Sequence, residues 1–262
     1  MVQNKWKMKL TLLLTLLGAI GIIAIIPYEM TALMNDEVPQ SLPNPVPASL
    51  VMTINSIIRI IFLFVLVLFG VRLQKRTSLR APIFEALIYD RKELHISTKW
   101  IGISIAITFI GSLVTILLDL FVFTPFITIS QADTTTMVWW EGLLASLYGG
   151  ITEELMLRLF VMTLIVWILA KITQKQGSDI PRSFYVTGII LATILFGLGH
   201  LPATIQLFGE LSPILLIRAL VLNGMLGLWF GYLYWKKGLE YAIIAHMAAD
   251  IFIHVLFASV LG

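Results

Sequence analysis

Three short runs of this chain set residue types that can do hydrolytic chemistry at helical spacing: "EELMLR" (153 to 158), "FGLGH" (196 to 200) and "HMAADIFIH" (246 to 254). In the first, Glu154 and Arg158 stand at i and i+4 with the acid N-terminal to the base, the favourable order for an ion pair on a helix. Glu153 points about 100° away around the same helix. If Glu154 neutralises Arg158, Glu153 is left as a free carboxylate on the adjacent face. In the third run His246, Asp250 and His254 recur every four residues on one face. A carboxylate at that spacing can accept one imidazole N–H and leave the other ring nitrogen for reaction or metal. His200 closes the second run, one turn below Phe196 and just before Pro202.

That set supports two kinds of chemistry. Glu153 and His200 can activate a water for attack on a peptide carbonyl, with His246 and its neighbour Asp250 stabilising the oxyanion. Alternatively, Glu153, His200 and His246 can hold a catalytic Zn²⁺ with an open position. Both routes hydrolyse an amide bond, and the residues alone leave both open. Plainer readings exist for each part. A buried Glu–Arg pair is often structural, and a single histidine at a helix end is commonly an interfacial one. A second carboxylate beside the pair, and two histidines with an aspartate in one apolar segment, are harder to explain that way. Each ionisable group inside a membrane span costs on the order of 3 kcal/mol. His254 continues the stripe but suits a water-filled mouth near the helix end, which makes it the weakest candidate. His95 falls in a charged connecting segment and reads as solvated.

The elements that must position these residues follow from composition. The chain has 262 residues, 58% hydrophobic and 13% charged, far from a soluble domain of average composition. Seven apolar stretches are each long enough to cross about 30 Å of hydrocarbon: Leu10 to Ile26, Ala48 to Val71, Trp100 to Phe123, Trp139 to Ala170, Ser183 to Leu201, Pro213 to Trp235 and Tyr241 to Leu261. The expected fold is an all-α polytopic membrane bundle. The first stretch follows Lys5, Lys7 and Lys9 but exceeds a signal-peptide core and lacks an A-x-A site, so it reads as a retained helix.

Lysine and arginine stay on the cytoplasmic side, and 15 of the 18 fall before the first span or after the second, fourth and sixth. The expected topology is therefore N-terminus inside and C-terminus outside, in a plasma membrane of bacterial type. The basic excess reflects this bias and implies no nucleic-acid partner. The chain has no cysteine, which removes disulfides, thiolate catalysis and Cys-ligated metals.

Neither repeats nor low-complexity tracts divide the chain, so one membrane domain is expected. Residues 1–134 hold the N-terminal spans and a cytoplasmic segment, "RAPIFEALIYDRKELH" (80 to 95), with Ile83, Phe84, Leu87 and Ile88 on one helical side. That segment reads as an interfacial helix linking two spans. Residues 135–262 hold every candidate site residue. Gly149-Gly150 interrupts the long fourth stretch just before the charged run and predicts a kink or break there.

All three runs resemble the EExxxR, FxxxH and HxxxN/D motifs of the CAAX prenyl protease type II family, also called Abi, or CPBP for its bacteriocin-processing members. "FGYLYWKKGLEYAIIAH" (230 to 246) resembles the stretch that leads into the third motif. The resemblance covers roughly residues 135 to 260, and it makes the last four spans a CAAX-protease-like core. It implies an intramembrane endopeptidase in which Glu153 and His200 activate water, His246 and Asp250 bind the oxyanion or help bind a metal, and Glu154 and Arg158 support them. The cofactor is then Zn²⁺ or none, the glutamate mechanism needing no metal. The partners are the lipid bilayer and a peptide or membrane-protein substrate. Prenyl-processing members typically carry Asn where this chain has Asp250. A carboxylate donates no hydrogen bond unless protonated, so orienting His246 or binding metal suits Asp250 better than the oxyanion role.

Two other function classes compete. A non-catalytic bacteriocin-immunity or scaffold protein would keep the fold, although retention of every motif residue argues against it. A solute or proton-coupled transporter would use buried acids and histidines too, but transporters commonly repeat interrupted helices in both halves, and here the ionisable cluster is confined to one. Serine and H-E-x-x-H zinc chemistry lack their motifs.

One geometric tension remains at this level. At about 1.5 Å per residue, Glu153 and His200 each lie about 27 Å from the cytoplasmic end of their helices, and His246 only about 13 Å from its own. Upright ideal helices would leave His246 more than about 10 Å from the other two. Tilt, the glycine pair or a deeper helix start has to close that gap.

Overall fold

Backbone polar groups in lipid must be satisfied within the segment itself, which leaves these apolar stretches the helix as their way across. The computed structural model describes residues 2–35, 47–89, 94–127 and 138–261, and no strand occurs among them. Seven helices among the described residues are long and apolar enough to span a membrane: Lys7–Thr31, Ser49–Thr77, Thr98–Phe126, Trp139–Ile172, Arg182–Phe208, Pro213–Lys236 and Leu239–Val260. They reproduce the sequence-predicted spans in number and order. The molecule is an all-α, multi-pass membrane protein.

The first span is α1 (Val2–Ala24) running into α2 (Ile26–Asn35). Helix α3 (Ala48–Thr77) ends at Ser78 in the left-handed conformation, and a short α4 (Pro82–Tyr89) follows. Helix α5 (Thr98–Leu118) starts where the Ser97 hydroxyl accepts from the Trp100 amide. The fourth span is α6 (Trp139–Leu147), two π-helical segments (Tyr148–Glu153 and Leu155–Met162) and α7 (Thr163–Ile172). Helix α8 (Arg182–Gly199) stops at His200, and α9 (Leu201–Phe208) leaves from it with Pro202 in its first turn. Helix α10 (Pro213–Lys236) is capped by the Ser212 side chain. After α11 (Leu239–Ile251) comes a π-helical turn, Phe252–Phe257, and α12 (Ala258–Leu261).

The fourth span runs through the middle of the bundle. Its Leu155, Leu159, Met162 and Val166 are fully buried in one core cluster with Leu10, Leu14, Leu63 and Val67 of α1 and α3 and Ala192, Phe230, Leu233 and Ala245 of α8, α10 and α11. Large apolar side chains on the outer surface, among them Leu16, Ile58, Phe62, Ile110 and Ile194, are exposed. Such helices, apolar all round, are what a lipid-facing bundle requires. Helix α5 presents a small polar face, Ser104, Thr108, Ser112 and Thr115, to its neighbours, and small residues of this kind let membrane helices approach closely.

Gly149-Gly150 does not break the fourth span. The chain stays helical through the pair and widens to i→i+5 pairing from Tyr148 to Met162, with Glu154 between the two π segments. The glycines serve close approach. A Cβ on Gly149 would collide with the Asp250 carboxylate and lie 3.3 Å from His246 Nε2. One on Gly150 would meet the Met247 side chain and its amide nitrogen at 2.9 Å. The pair forms a bare landing on which α11 sits.

The segment read as interfacial is docked more firmly than the sequence suggests. The Phe84 amide, in the first turn of α4, donates to Glu240 Oε1 at 2.8 Å. The Leu239 amide donates to the Arg80 carbonyl at 3.1 Å. Gly238 makes the turn between α10 and α11 at φ 120°, a conformation only glycine adopts freely, and its Cα faces the Pro82 ring. Leu239 and Glu240 are consequently buried at 0% and 4% exposure. Helix α11 starts inside the protein, roofed by α4. Of the same segment, Asp90, Arg91, Lys92 and Glu93 lie outside the described residues.

Candidate active site

The recessed start of α11 and the bare glycine landing close the gap that upright helices would leave between His246 and Glu153. Residues in an i→i+5 helix also advance less along the axis per residue than in an α-helix, which draws Glu153 toward the inner end. His246 thereby meets the fourth span directly. Its Nδ1 lies 2.8 Å from Glu154 Oε1, and its Nε2 faces Glu153 Oε2 at 3.7 Å and Asp250 Oδ1 at 3.8 Å.

Glu154 and Arg158 form the predicted pair. Arg158 Nη1 donates to Glu154 Oε1 at 2.8 Å, with the two side chains 1% and 0% exposed. Arg158 Nη2 reaches across to the Gly227 carbonyl of α10 at 2.9 Å, and the guanidinium lies over the Phe196 and Phe230 rings at 5.1 and 5.4 Å. A buried charge of this kind persists only when paired and hydrogen-bonded, and here it ties two helices together.

The two ring nitrogens of His246 are thus distinguished by their partners, and the orienting carboxylate differs from the sequence reading. Asp250 was the expected tautomer-setting partner, because it shares the helix at i+4. The contact at hydrogen-bond length instead comes from Glu154 on the neighbouring span. A carboxylate only accepts, so Nδ1 carries a proton and the ring is fixed in orientation. Glu153 and Asp250 then both face Nε2. Two acceptors around one ring nitrogen suit a proton on Nε2.

His200 stands on the far side of Phe196. Its Nδ1 is 2.9 Å from the Phe196 carbonyl. The carbonyl accepts, so Nδ1 carries a proton and the ring is held with Nε2 on the side away from the Phe196 carbonyl. The Phe196 ring meets both histidines edge-on, at 4.8 Å to His200 and 5.4 Å to His246. Phe230 stacks on His246 at 4.6 Å. Leaving Gly199 next to His200 without a side chain keeps that flank open, since an added Cβ there would meet nothing within 4 Å.

His254 is exposed, in the π turn after α11, within electrostatic reach of His200 and His246. Its backbone packs on Gly142 of α6. His95 is exposed in the segment before α5. The site is therefore closed on the Glu154–Arg158 side and open on the Glu153–Asp250 side, whose side chains are 18% and 17% exposed.

Among the described residues no three His, Asp or Glu side chains converge closely enough to hold a metal ion. Each candidate histidine commits one ring nitrogen, to Glu154 or to Phe196, and keeps the other toward the site, as metal-ligating histidines also do. His200 does not converge with Glu153 and His246 as a set of three donors.

Several contributors have no signature as isolated residues. Phe196 and Phe230 read as ordinary core aromatics, and Gly227 as a packing residue. Gly149-Gly150 reads as a helix breaker rather than as the surface that receives Asp250 and Met247. The F of the FxxxH pattern was the one sequence signal pointing to an aromatic between the two histidines.

With the geometry established, residues 135–252 match the sequence family described as Rce1-like, Type II CAAX prenyl endopeptidase. The match agrees with the resemblance of the three motifs to the CAAX protease/Abi family. It supports a protease-type enzyme working in a lipid bilayer on a protein or peptide. No curated protein and no solved structure matches the chain.

Proposed function

With residues 135–252 CAAX-protease-like, we propose that the protein is an intramembrane endopeptidase that hydrolyses a peptide bond in a peptide or membrane-protein substrate. The observation that carries this reading is the approach of Glu153 to His246 Nε2 at 3.7 Å while Glu154 holds His246 Nδ1 at 2.8 Å. A partly exposed carboxylate beside an oriented imidazole is the arrangement a general base and an electrophilic partner need.

In the proposed reaction a water sits between Glu153 and His200. Glu153 takes one of its protons, and the Nε2 lone pair of His200 orients the other hydrogen. The water oxygen bonds to the scissile carbonyl carbon, and the carbonyl π pair moves onto oxygen. His246 presents Nε2–H to that oxyanion, its ring held by Glu154 and backed by Phe230. Asp250 receives no oxyanion role. It faces the same nitrogen and steadies the proton on it. The C–N bond then breaks, and the proton taken by Glu153 passes to the leaving amine. Every step falls to side chains of the chain itself.

Assay of the full chain in liposomes, by mass spectrometry of released peptides from a bacterial membrane proteome, tests the reading with Glu153→Gln and His200→Ala at matched folding. Loss of the same products in both variants supports it. Unchanged products in both would overturn it in favour of a binding role such as peptide immunity.

A further inference from the structure

At the end of the bundle away from α9, the antiparallel helices α1 and α3 leave a cavity of about 270 Å³ lined by Lys7, Met8, Thr11, Leu68 and Arg72. Its lining is graded along the helices. Lys7 and Arg72 share the outer level, and Thr11 and Leu68 lie one turn deeper on each helix, with Met8 beside them. The outer level is cationic. Arg72, Lys75 and Arg76 all act electrostatically on the Lys7 ammonium, and among the described residues no carboxylate forms an ion pair with Lys7 or Arg72. Arg72 spends one N–H on the Leu68 carbonyl of its own helix at 3.2 Å. Like charges gathered around a cleft repel one another, and an anion placed between them removes that cost.

The deeper level carries a second, independent sign. Thr11 is 1% exposed, lines this cavity, and its hydroxyl has no hydrogen-bond partner. A buried hydroxyl without a partner has given up its hydrogen bonds to water with nothing in exchange. Threonine on a helix can ordinarily bond the carbonyl one turn back, and Thr11 does not. An ester or glycerol oxygen at this depth would satisfy it.

Cations at the outer level, and one turn deeper an unpartnered hydroxyl among thioether and aliphatic walls, follow the order of a phospholipid from headgroup phosphate to the glycerol ester where its acyl chains begin. We propose that this cavity is a binding site for an anionic phospholipid, with the phosphate between Lys7 and Arg72 and the glycerol ester at Thr11. Basic clefts at the ends of membrane helices take anionic headgroups in this way. The site is separate from the Glu153–His246 cluster, and nothing in it depends on the proposed hydrolysis. It joins α1 to α3, and those two helices pack on the π segments of the fourth span. Lipid bound here would stabilise the scaffold behind the candidate active site.

Thermal unfolding of the full chain in a neutral maltoside detergent tests this, since a ligand that binds the folded state raises its melting midpoint. Dihexanoyl-phosphatidylglycerol is expected to raise the midpoint by about 3 °C. Dihexanoyl-phosphatidylcholine and inorganic phosphate at the same concentration are expected to leave it unmoved. Lys7→Gln with Arg72→Gln should abolish the rise, and Thr11→Val, which keeps the packing, should at least halve it. Lys171→Gln with Lys175→Gln removes the same charge elsewhere and should retain it. An equal rise with phosphatidylcholine, a full rise with inorganic phosphate alone, or a rise that survives loss of Lys7 and Arg72 would each overturn the proposal. So would an equal loss in the Lys171 and Lys175 variant, which would make the effect one of overall charge.

Discussion

His246 on α11 is oriented by Glu154 of the fourth span, at 2.8 Å, and the same Glu154 oxygen also receives Arg158 at 2.8 Å. One buried carboxylate oxygen therefore fixes both a structural cation and the ring whose opposite nitrogen faces the open side of the site. The two adjacent glutamates divide their work: Glu154 is fully buried and held, and Glu153 is partly exposed beside Nε2.

Glu153→Gln and Arg158→Ala should consequently fail in different ways. The first is expected to abolish peptide release while leaving denaturant unfolding in detergent within about 1 kcal/mol of wild type, since Glu153 pairs with no structural cation. The second leaves Glu154 buried without its cation, with only His246 still bonded to it, and is expected to cost about 3–5 kcal/mol. Similar stability losses in both would contradict this division.

Gly149→Ala is expected to reduce cleavage by at least tenfold, because the new methyl occupies the space of the Asp250 carboxylate and crowds His246 Nε2. Overpacking of this kind typically costs about 1–3 kcal/mol. Gly150→Ala meets the Met247 backbone and should destabilise more than Gly149→Ala. Melting midpoints and cleavage rates of the two variants, measured side by side, check the order.

Asp250→Asn leaves the shape of the site intact and replaces one of the two carboxylates facing Nε2 by a neutral amide. Turnover is expected to fall by on the order of tenfold with KM unchanged, as for the loss of a group that supports a proton in the transition state. A rise in turnover would show that an amide donor is better there and that Asp250 holds the oxyanion position after all.

Dialysis of the purified protein against EDTA is expected to leave peptide release unchanged, because the donors around His246 do not make a three-ligand set. Loss on dialysis, restored by Zn²⁺, would mean that substrate binding rearranges Glu153, His200 and His246 into one.

Glu240→Ala should loosen α4. Removing the acceptor of the Phe84 amide resembles loss of a helix cap, worth about 1 kcal/mol. Hydrogen exchange is expected to speed up at residues 82–89 first, with slower cleavage following as α11 loses its roof.

The seven spans, the Glu154–Arg158 pair and the identity of the clustered residues were legible in the sequence, because each rests on helical periodicity or on the cost of a charge in lipid. Contacts between spans were not. The bond from Glu154 to His246 depends on how deep α11 begins, and that depth is set by a glycine turn and by α4, both far from the motifs in sequence. Periodicity also assigned Asp250 to His246 as its nearest neighbour on the same helix, although the partner is on another. Gly149-Gly150 was read through backbone flexibility, whereas its role is the absence of a side chain against α11. The π widening followed from no local signal.

Thr152 donates to the Gly18 carbonyl at 2.9 Å, Ser97 donates through its amide to the Tyr241 hydroxyl at 3.0 Å, and Leu239 donates to Arg80. In each case a residue of the first three spans or their loops grips the motif-bearing half by shape or backbone and contributes no reactive group. The N-terminal spans behave as a mould around a casting. Outside a few polar grips such as Gln74 on Tyr234 and Asp119 on Arg218, what they supply is contour, and a single added methyl at Gly18, Gly21 or Gly70 presses on the fourth span and can silence chemistry in which none of these three residues takes part.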